Sequence, residues 1–253
     1  MLDFSINNPW LVAIALNSIL MLVSIVIPKK LLTPAGTINA WGLGVVVWGT
    51  LGWRGYGVVL FYFLVGSAVT RIGMAQKEAE GIAEKRGGAR GPENVWGSAF
   101  TATMCAIGVA AIKFGWLDPN WESLLILGYV ASFATKLSDT TASEVGKAYG
   151  KSTFLITTLK PVPRGTEGAI SLEGTLAGIV GGILISLVAY SLGMINFQGI
   201  IICTIAAFVA TNVESVIGAT LQSDIDWLSN ELVNVINTII GAVVAISIAL
   251  IWH

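Results

Sequence analysis

Apolar runs long enough to cross a lipid bilayer recur along this chain, and they restrict its fold more than any other feature. A transmembrane helix needs roughly 20 such residues. The candidate spans lie at about 9–27, 36–53, 55–72, 94–115, 120–138, 171–193, 197–221 and 231–252. Only Trp53-Arg54-Gly55 joins the second run to the third, so these two are either separate spans or one broken, re-entrant unit. The chain is therefore predicted to be an all-α, polytopic transmembrane helical bundle of about eight spans, within a range of about seven to nine.

Composition also indicates a membrane protein. Of the 253 residues, 55% are apolar and only 11% are charged, whereas soluble domains carry about 25% charged residues. The 14 Lys and Arg are balanced by 15 Asp and Glu, which argues against a nucleic-acid-binding surface. We expect residues 1–253 to form a single integral-membrane domain in contact with membrane lipid and no nucleic acid.

Positive charge predicts the orientation, because cytoplasmic loops carry an excess of Lys and Arg. With segment 28–35 in the cytoplasm and the spans alternating, 12 of the 14 basic residues fall on the cytoplasmic side. They are Lys29, Lys30, Arg71, Lys77, Lys85, Arg86, Arg90, Lys136, Lys147, Lys151, Lys160 and Arg164. The main cytoplasmic loops are then about 73–93, 138–170 and 222–230.

These three loops hold almost all of the unusual polarity, while the opposite face has short connections such as Asp118-Pro119-Asn120. A channel or transporter usually needs polar groups along a path through the bilayer. Polarity collected at one surface favours an enzyme that acts on a lipid at the cytoplasmic interface.

The first loop contains the segment Arg86-Gly87-Gly88-Ala89-Arg90-Gly91, which cannot form a regular helix. Glycines allow backbone N–H groups to converge on an anion, and arginines add forked donors. We predict phosphate binding by Arg86, Gly87, Gly88 and Arg90. The alternative is a flexible basic loop that contacts anionic lipid head groups.

The second loop opens with Asp139-Thr140-Thr141-Ala142-Ser143-Glu144 and continues to Lys147. Two carboxylates beside hydroxyl groups suit Mg²⁺, which takes one or two carboxylates together with phosphate oxygens. On a regular helix Asp139 and Glu144 lie about 140° apart, so a single ion reaches both only if the helix bends. The alternative is a helix end in which Glu144 pairs with Lys147.

Further along this loop, Lys160-Pro161-Val162-Pro163-Arg164-Gly165-Thr166 combines two basic residues with stiff prolines. Lys160 and Arg164 are placed to meet phosphate, with Thr157, Thr158 and Thr166 as hydrogen-bond donors. A plain connecting loop is the alternative.

Glu214 is an acid inside the seventh span, roughly 10 Å from its cytoplasmic end. An acid in the bilayer costs ~2.5–3.5 kcal/mol on insertion scales, so it needs a partner, a metal or a proton. A bound metal ion would meet this need. The alternative is a carboxyl group hydrogen-bonded to Asn39, Asn234 or Asn237 on other helices.

Four motifs together resemble one integral-membrane family, which includes transmembrane protein 19 and the phytyl-phosphate kinase of tocopherol and phylloquinone biosynthesis. They are Arg86-Gly-Gly-Ala-Arg-Gly-Pro-Glu-Asn94, Asp139-Thr-Thr-Ala-Ser-Glu144, Pro161-Val-Pro-Arg-Gly-Thr166 and Glu214-Ser-Val-Ile-Gly-Ala-Thr-Leu-Gln222. A shorter likeness, Asp139-x-x-Ala-Ser-x-x-Gly146-Lys147-x-x-Gly150-Lys151, is similar to the signature of CTP-dependent polyprenol kinases and CDP-diacylglycerol synthases. It implies CTP, or another nucleoside triphosphate, as phosphoryl donor.

The resemblance implies a Mg²⁺-dependent phosphotransferase that converts a prenyl phosphate, in particular phytyl phosphate, to its diphosphate. It implies catalytic roles for Asp139, Glu144, Lys160 and Arg164, and Mg²⁺ binding by Asp139, Glu144 and Glu214. Substrate and nucleotide binding fall to Arg86, Gly87, Gly88, Arg90, Asn94, Lys77, Lys147, Thr166 and Ser143. The site would face the cytoplasm, from a plasma or thylakoid membrane if the source is a photosynthetic prokaryote. A homodimer is left open.

Other functions remain open. A CDP-alcohol phosphotransferase usually has Asp-Gly-x-x-Ala-Arg, whereas Thr140 and Ser143 stand at the Gly and Arg positions here. A transporter of a small or lipid-like anion would use Glu214 and needs a polar path to the outer face, for which only the three asparagines named above are candidates. A non-catalytic scaffold would bind a phosphorylated prenol without metal.

Overall fold

The computed structural model describes residues 8–27, 30–222, 225 and 227–252. Lys29, which contributed to the predicted orientation, and residues 223, 224 and 226 of the third predicted loop lie outside this part of the chain. The helices are α1 Pro9–Val26, α2 Pro34–Thr70, α3 Met74–Ala79, α4 Pro92–Lys113, α5 Glu122–Tyr149, α6 Leu172–Ser191, α7 Phe197–Thr220 and α8 Asn230–Trp252.

Six of the described helices are long and apolar enough to cross a membrane: α1, α2, α4, α6, α7 and α8. The prediction of an all-α integral-membrane protein is therefore confirmed. Side chains cap several of the helix starts: Asn8, Thr33, Ser171 and Asn196 each accept a hydrogen bond from a first-turn backbone N–H group. Each cap satisfies a donor that the helix itself leaves unpaired.

Helix α2 reverses direction at Gly52, where φ is 67° and ψ is −160°. A β-carbon is disfavoured at this positive φ, so glycine suits the reversal. Two contacts show that the halves run antiparallel. Gly36 and Gly66 both lie against Arg90, and the Trp48 and Tyr56 rings are 5.2 Å apart although eight residues separate them. The two halves coincide with the predicted spans 36–53 and 55–72, while the total number of spans stays a prediction.

Helix α5 lies at the centre of the bundle and packs against α2, α4, α6, α7 and α8. Residues 127–139 are buried without interruption. Because other helices rather than lipid surround it, α5 tolerates polar residues that a lipid-facing span would exclude. It is also longer than the predicted span 120–138. Helix α5 continues to Tyr149 because neither a proline nor a pair of adjacent glycines interrupts it before its C-cap, Gly150. The first part of the predicted loop 138–170 is therefore helical.

Small residues bring α6 close to α5. A β-carbon on Gly174 would lie 2.6 Å from the Ala142 carbonyl oxygen, and one on Gly178 would lie 3.1 Å from the Ser138 carbonyl oxygen. Any larger residue would push the helices apart. Between α5 and α6, β1 Phe154–Leu155 and β2 Ala169–Ile170 pair antiparallel as a short hairpin. This hairpin and the loop between α2 and α4 meet at the same end of the bundle.

Candidate functional site

A polar cavity of about 680 Å³ lies at that end of the bundle. It brings together side chains from all three predicted polar segments. Among the described residues, seven acidic and five basic side chains line it: Glu84, Glu93, Asp139, Glu144, Glu167, Glu214 and Glu231, with Lys85, Arg86, Arg90, Lys136 and Lys147. Charges of both signs around one volume suit a ligand that carries several phosphates and a cation.

The glycine-rich segment forms one wall of this polar cavity. Arg86, Gly87 and Gly88 follow one another in the left-handed region, with φ of 57°, 59° and 78°. This conformation is uncommon for a residue with a β-carbon. Arg86 pairs with Glu93 and donates to the Asn94 side-chain oxygen at 2.9 Å. These partners fix the orientation of Arg86 at the cavity wall.

Arg90 lies deeper, where the cavity reaches into the bundle. Its Nη1 donates to the Tyr62 hydroxyl at 2.6 Å, and its guanidinium carbon is 5.0 Å from the centre of the Tyr62 ring. The Arg90 backbone bonds to Leu31 and Thr33. The side chain is thus held in place while its charge meets the cavity.

Asp139 lines the cavity together with Lys136, one helical turn earlier. The Lys136 ammonium donates to Asp139 Oδ2 at 2.5 Å and to the Asn234 side-chain oxygen on α8 at 2.6 Å. No described residue donates to Asp139 Oδ1. One carboxylate oxygen is therefore positioned by Lys136, and the other remains available to a ligand.

Glu144 also borders the cavity but is committed to a different partner. It pairs with Lys77 of α3, whose side chain is fully buried and whose Nζ also donates to the Thr70 carbonyl at 2.8 Å. Lys147 lies 3.7 Å from its other oxygen. Because α5 is regular here, Glu144 and Asp139 point in different directions, as their spacing predicted.

Glu214 on α7 faces the cavity across from α5. Its carboxylate lies within electrostatic range of Asp139, Lys136, Glu167 and Lys147. Among the described residues none forms a hydrogen bond or ion pair with it. The alternative of a bond to an asparagine is wrong. Asn39 accepts from the Trp96 indole and Asn234 accepts from Lys136. The buried Asn237 side chain has no hydrogen-bond partner in the described part of the chain.

The hairpin residues are divided between two environments. Thr166 lines the cavity, whereas Lys160 is exposed and is not among the lining residues. Arg164 donates to Glu80 at 2.6 Å and lies just outside the cavity wall formed by Gly165 and Thr166. The structure thus brings Thr166 to the site, places Arg164 beside it and leaves Lys160 apart.

Of the other sequence-predicted residues, Gly88, Asn94, Ser143 and Lys147 line the cavity, and Gly87 and Lys77 do not. Lys136 and Asn234 also line the cavity, although the sequence motifs did not predict them as site residues. Lys136 could have been recognised from the sequence because it lies three residues before Asp139. Asn234 likewise lies three residues after Glu231, an acid of α8 that also lines the cavity.

The acids of the cavity fit a cation that is held partly by its substrate. Among the described residues, no group of three or more His, Cys, Asp and Glu side chains could hold a metal ion. Mg²⁺ does not require such a cage, because it usually keeps several waters and binds one or two carboxylates plus substrate phosphates. Asp139 and Glu214, on facing helices, meet that requirement.

Comparison with known proteins gives a consistent family assignment. Residues 17–242 match the model of a family that is described as "Integral membrane protein DUF92". The chain is 65% identical to the uncharacterized membrane protein sll0875 of Synechocystis, over 96% of this chain and 93% of that protein. It is 43% identical to the chloroplastic protein VTE6 of Arabidopsis thaliana, over 96% of this chain and 72% of that one. It is 33% identical to the uncharacterized membrane protein MJ0933 of Methanocaldococcus jannaschii, over 91% of each. No solved structure matches the chain.

Proposed function

This chain belongs to the DUF92 family of integral membrane proteins, and we propose that it is a prenyl-phosphate kinase. It transfers a phosphoryl group from a nucleoside triphosphate, CTP in particular, to phytyl phosphate. The products are phytyl diphosphate and the nucleoside diphosphate. The site faces the cytoplasm, where the nucleotide is available.

One observation carries the proposal: the four motifs that resemble the phytyl-phosphate kinase family all reach one cavity. Arg86, Asp139, Thr166 and Glu214, one from each motif, line it together. They come from the loop before α4, from α5, from the hairpin and from α7. The 43% identity to the chloroplastic protein VTE6, which extends over nearly the whole chain, also supports it.

The charge balance of the cavity supports a requirement for Mg²⁺. A nucleoside triphosphate and a prenyl phosphate bring several negative charges, yet acidic side chains outnumber basic ones around the cavity. Mg²⁺, when bound, supplies the positive charge that these phosphate oxygens need. Asp139 and Glu214 would hold it, and the ion pair with Lys136 orients the Asp139 carboxylate.

The transfer breaks the bond between the terminal phosphorus of the nucleotide and its bridging oxygen. A new bond forms between that phosphorus and an oxygen of the prenyl phosphate. Since this acceptor is already an anion at neutral pH, no general base is required. Arg86 and Arg90 hold phosphate oxygens, and catalysis consists mainly of positioning and charge stabilisation.

The direct test incubates the purified protein in detergent with phytyl phosphate, Mg²⁺ and each nucleoside triphosphate in turn. Mass spectrometry should detect phytyl diphosphate, with the highest rate from CTP. Omission of Mg²⁺ should abolish product formation. If no donor gives the diphosphate, the protein is not this kinase.

A further inference from the structure

We propose that a second, apolar groove beside the polar cavity binds the hydrocarbon tail of the prenyl phosphate. This inference rests on the proposed function and adds a location and a chemical class of ligand. The groove has a volume of about 300 Å³ and is lined by α1, both halves of α2 and the start of α4. We call it the tail groove.

The walls of the tail groove are suited to hydrocarbon. Most of the lining residues are aliphatic or aromatic, including Met21, Leu43, Val59 and Phe133. Its polar side chains are largely occupied within the protein: Ser24 donates to the Met21 carbonyl, and Ser98 accepts from Tyr62. A polar ligand would find few partners there, whereas an apolar chain loses no hydrogen bonds.

The two ends of the tail groove differ. At one end the Tyr62–Arg90 pair, beside Gly66, borders both the groove and the polar cavity. At the other end Tyr56 donates to Asn17 at 2.9 Å, and Asn17 lies against Gly44. A phosphate held by Arg90 would therefore have its tail pointing away from the cavity, towards the Asn17–Tyr56 bond.

The dimensions and position of the tail groove match a lipid tail. Along α1 it extends from Asn17 to Ile27, a rise of about 15 Å or half of the ~30 Å hydrocarbon core. Lining residues Leu20 and Val23 are 40% and 46% exposed. The groove is thus open along its side, and a prenyl phosphate can enter from the bilayer without leaving it.

The test blocks the tail groove with Met21→Trp and compares two acceptors of different length. We expect kcat/KM for phytyl phosphate to fall about tenfold, which corresponds to losing the burial of roughly two methylene groups. Geranyl phosphate, with a shorter tail, should be used almost as well as before. Ile19→Trp is the matched control, because Ile19 is 58% exposed on the same helix and lies outside the groove.

The outcomes separate the two proposals. If the wild-type protein makes diphosphate and Met21→Trp affects both acceptors equally, or neither, the tail groove is wrong and the kinase stands. If Met21→Trp does not fold, Val59→Phe blocks the same volume from α2.

A binding experiment decides the groove even if no turnover is found. Phytyl phosphate with a diazirine at the tip of its tail should label residues of α1 between 17 and 27 or of α2 between 56 and 64. Excess unlabelled phytyl phosphate should suppress this labelling. Labelling elsewhere, or labelling that phospholipid suppresses and phytyl phosphate does not, overturns the proposal.

Discussion

Two buried carboxylates lie five residues apart on α5, Asp139 and Glu144, and each pairs with a lysine. The two pairs differ in the other hydrogen bonds that their groups form. In the pair Lys77–Glu144, the Lys77 ammonium also bonds to the Thr70 carbonyl, and both glutamate oxygens face ammonium groups. In the pair Lys136–Asp139, one carboxylate oxygen accepts no bond from a described residue. The first pair ties the α3 segment to the central helix, and the second presents a free oxygen to the cavity. The two pairs are alike in burial and charge, and they differ in the hydrogen-bonding capacity that is left unused.

Asp139→Asn gives the largest expected effect, because it removes the negative charge that the Lys136–Asp139 pair presents to the cavity. We expect turnover to fall roughly 100-fold or more, as for other groups that stabilise charge in a transition state. The measurement is phytyl diphosphate formation at saturating Mg²⁺. Asp118→Asn, on an exposed turn between α4 and α5, is the control and should keep full activity. Undiminished turnover in Asp139→Asn would remove Asp139 from the site.

Lys77→Met tests the other pair. It removes the buried ammonium partner of Glu144 and leaves only Lys147, 3.7 Å from the carboxylate. Breaking a buried ion pair in this way typically costs ~3–5 kcal/mol of stability. Thermal unfolding in detergent should show a clear drop in Tm, and the double variant Lys77→Met/Glu144→Met should recover most of it. Lys151→Met, at an exposed position, is the control. If the double variant folds as stably as the wild type and lacks activity, the Lys77–Glu144 pair acts in ligand binding or catalysis as well as in folding.

Arg90→Lys tests the contact between the polar cavity and Tyr62. It keeps the charge but loses the planar guanidinium and its forked donors, which lysine does not replace. We expect KM for the prenyl phosphate to rise about tenfold, since hydrogen bonds to charged groups contribute ~1.5–3 kcal/mol. Arg54→Lys, exposed beside Trp53, is the matched control. An unchanged KM for the lipid with a raised KM for the nucleotide would assign Arg90 to the nucleotide instead.

Lys160→Ala should have the smallest effect. Its side chain is exposed on the loop that connects the hairpin strands and does not line the cavity. We expect less than about a twofold change in turnover and little change in Tm, as for most surface substitutions. A loss as large as that of Asp139→Asn would show that the hairpin closes over bound substrate and brings Lys160 to the phosphates.

The sequence alone was enough to predict most of the helices and the meeting of three polar segments. Apolar runs report helices in a membrane because every backbone polar group must be satisfied within the segment. The bounds of α6, α7 and α8 differ from the predicted spans by no more than two residues at either end. The sequence was less informative for α5. The polar residues near its end are typical of a loop, but they belong to a helix that neighbouring helices shield from lipid.

The sequence by itself determined the fold class, the family and the residue types that reach the cavity, because hydrophobic periodicity and motif spacing are local properties of the chain. Only the tertiary structure decided which charged and polar side chains pair with each other. Lys77 and Glu144 are 67 residues apart, and Lys136 and Asn234 are 98 apart. Such pairings depend on how five helices pack around α5. For the same reason, the sequence could not show that Glu214 faces Asp139 with no hydrogen-bond or ion-pair partner among the described residues. Nor could it show that Arg90 lies between a polar cavity and an apolar groove.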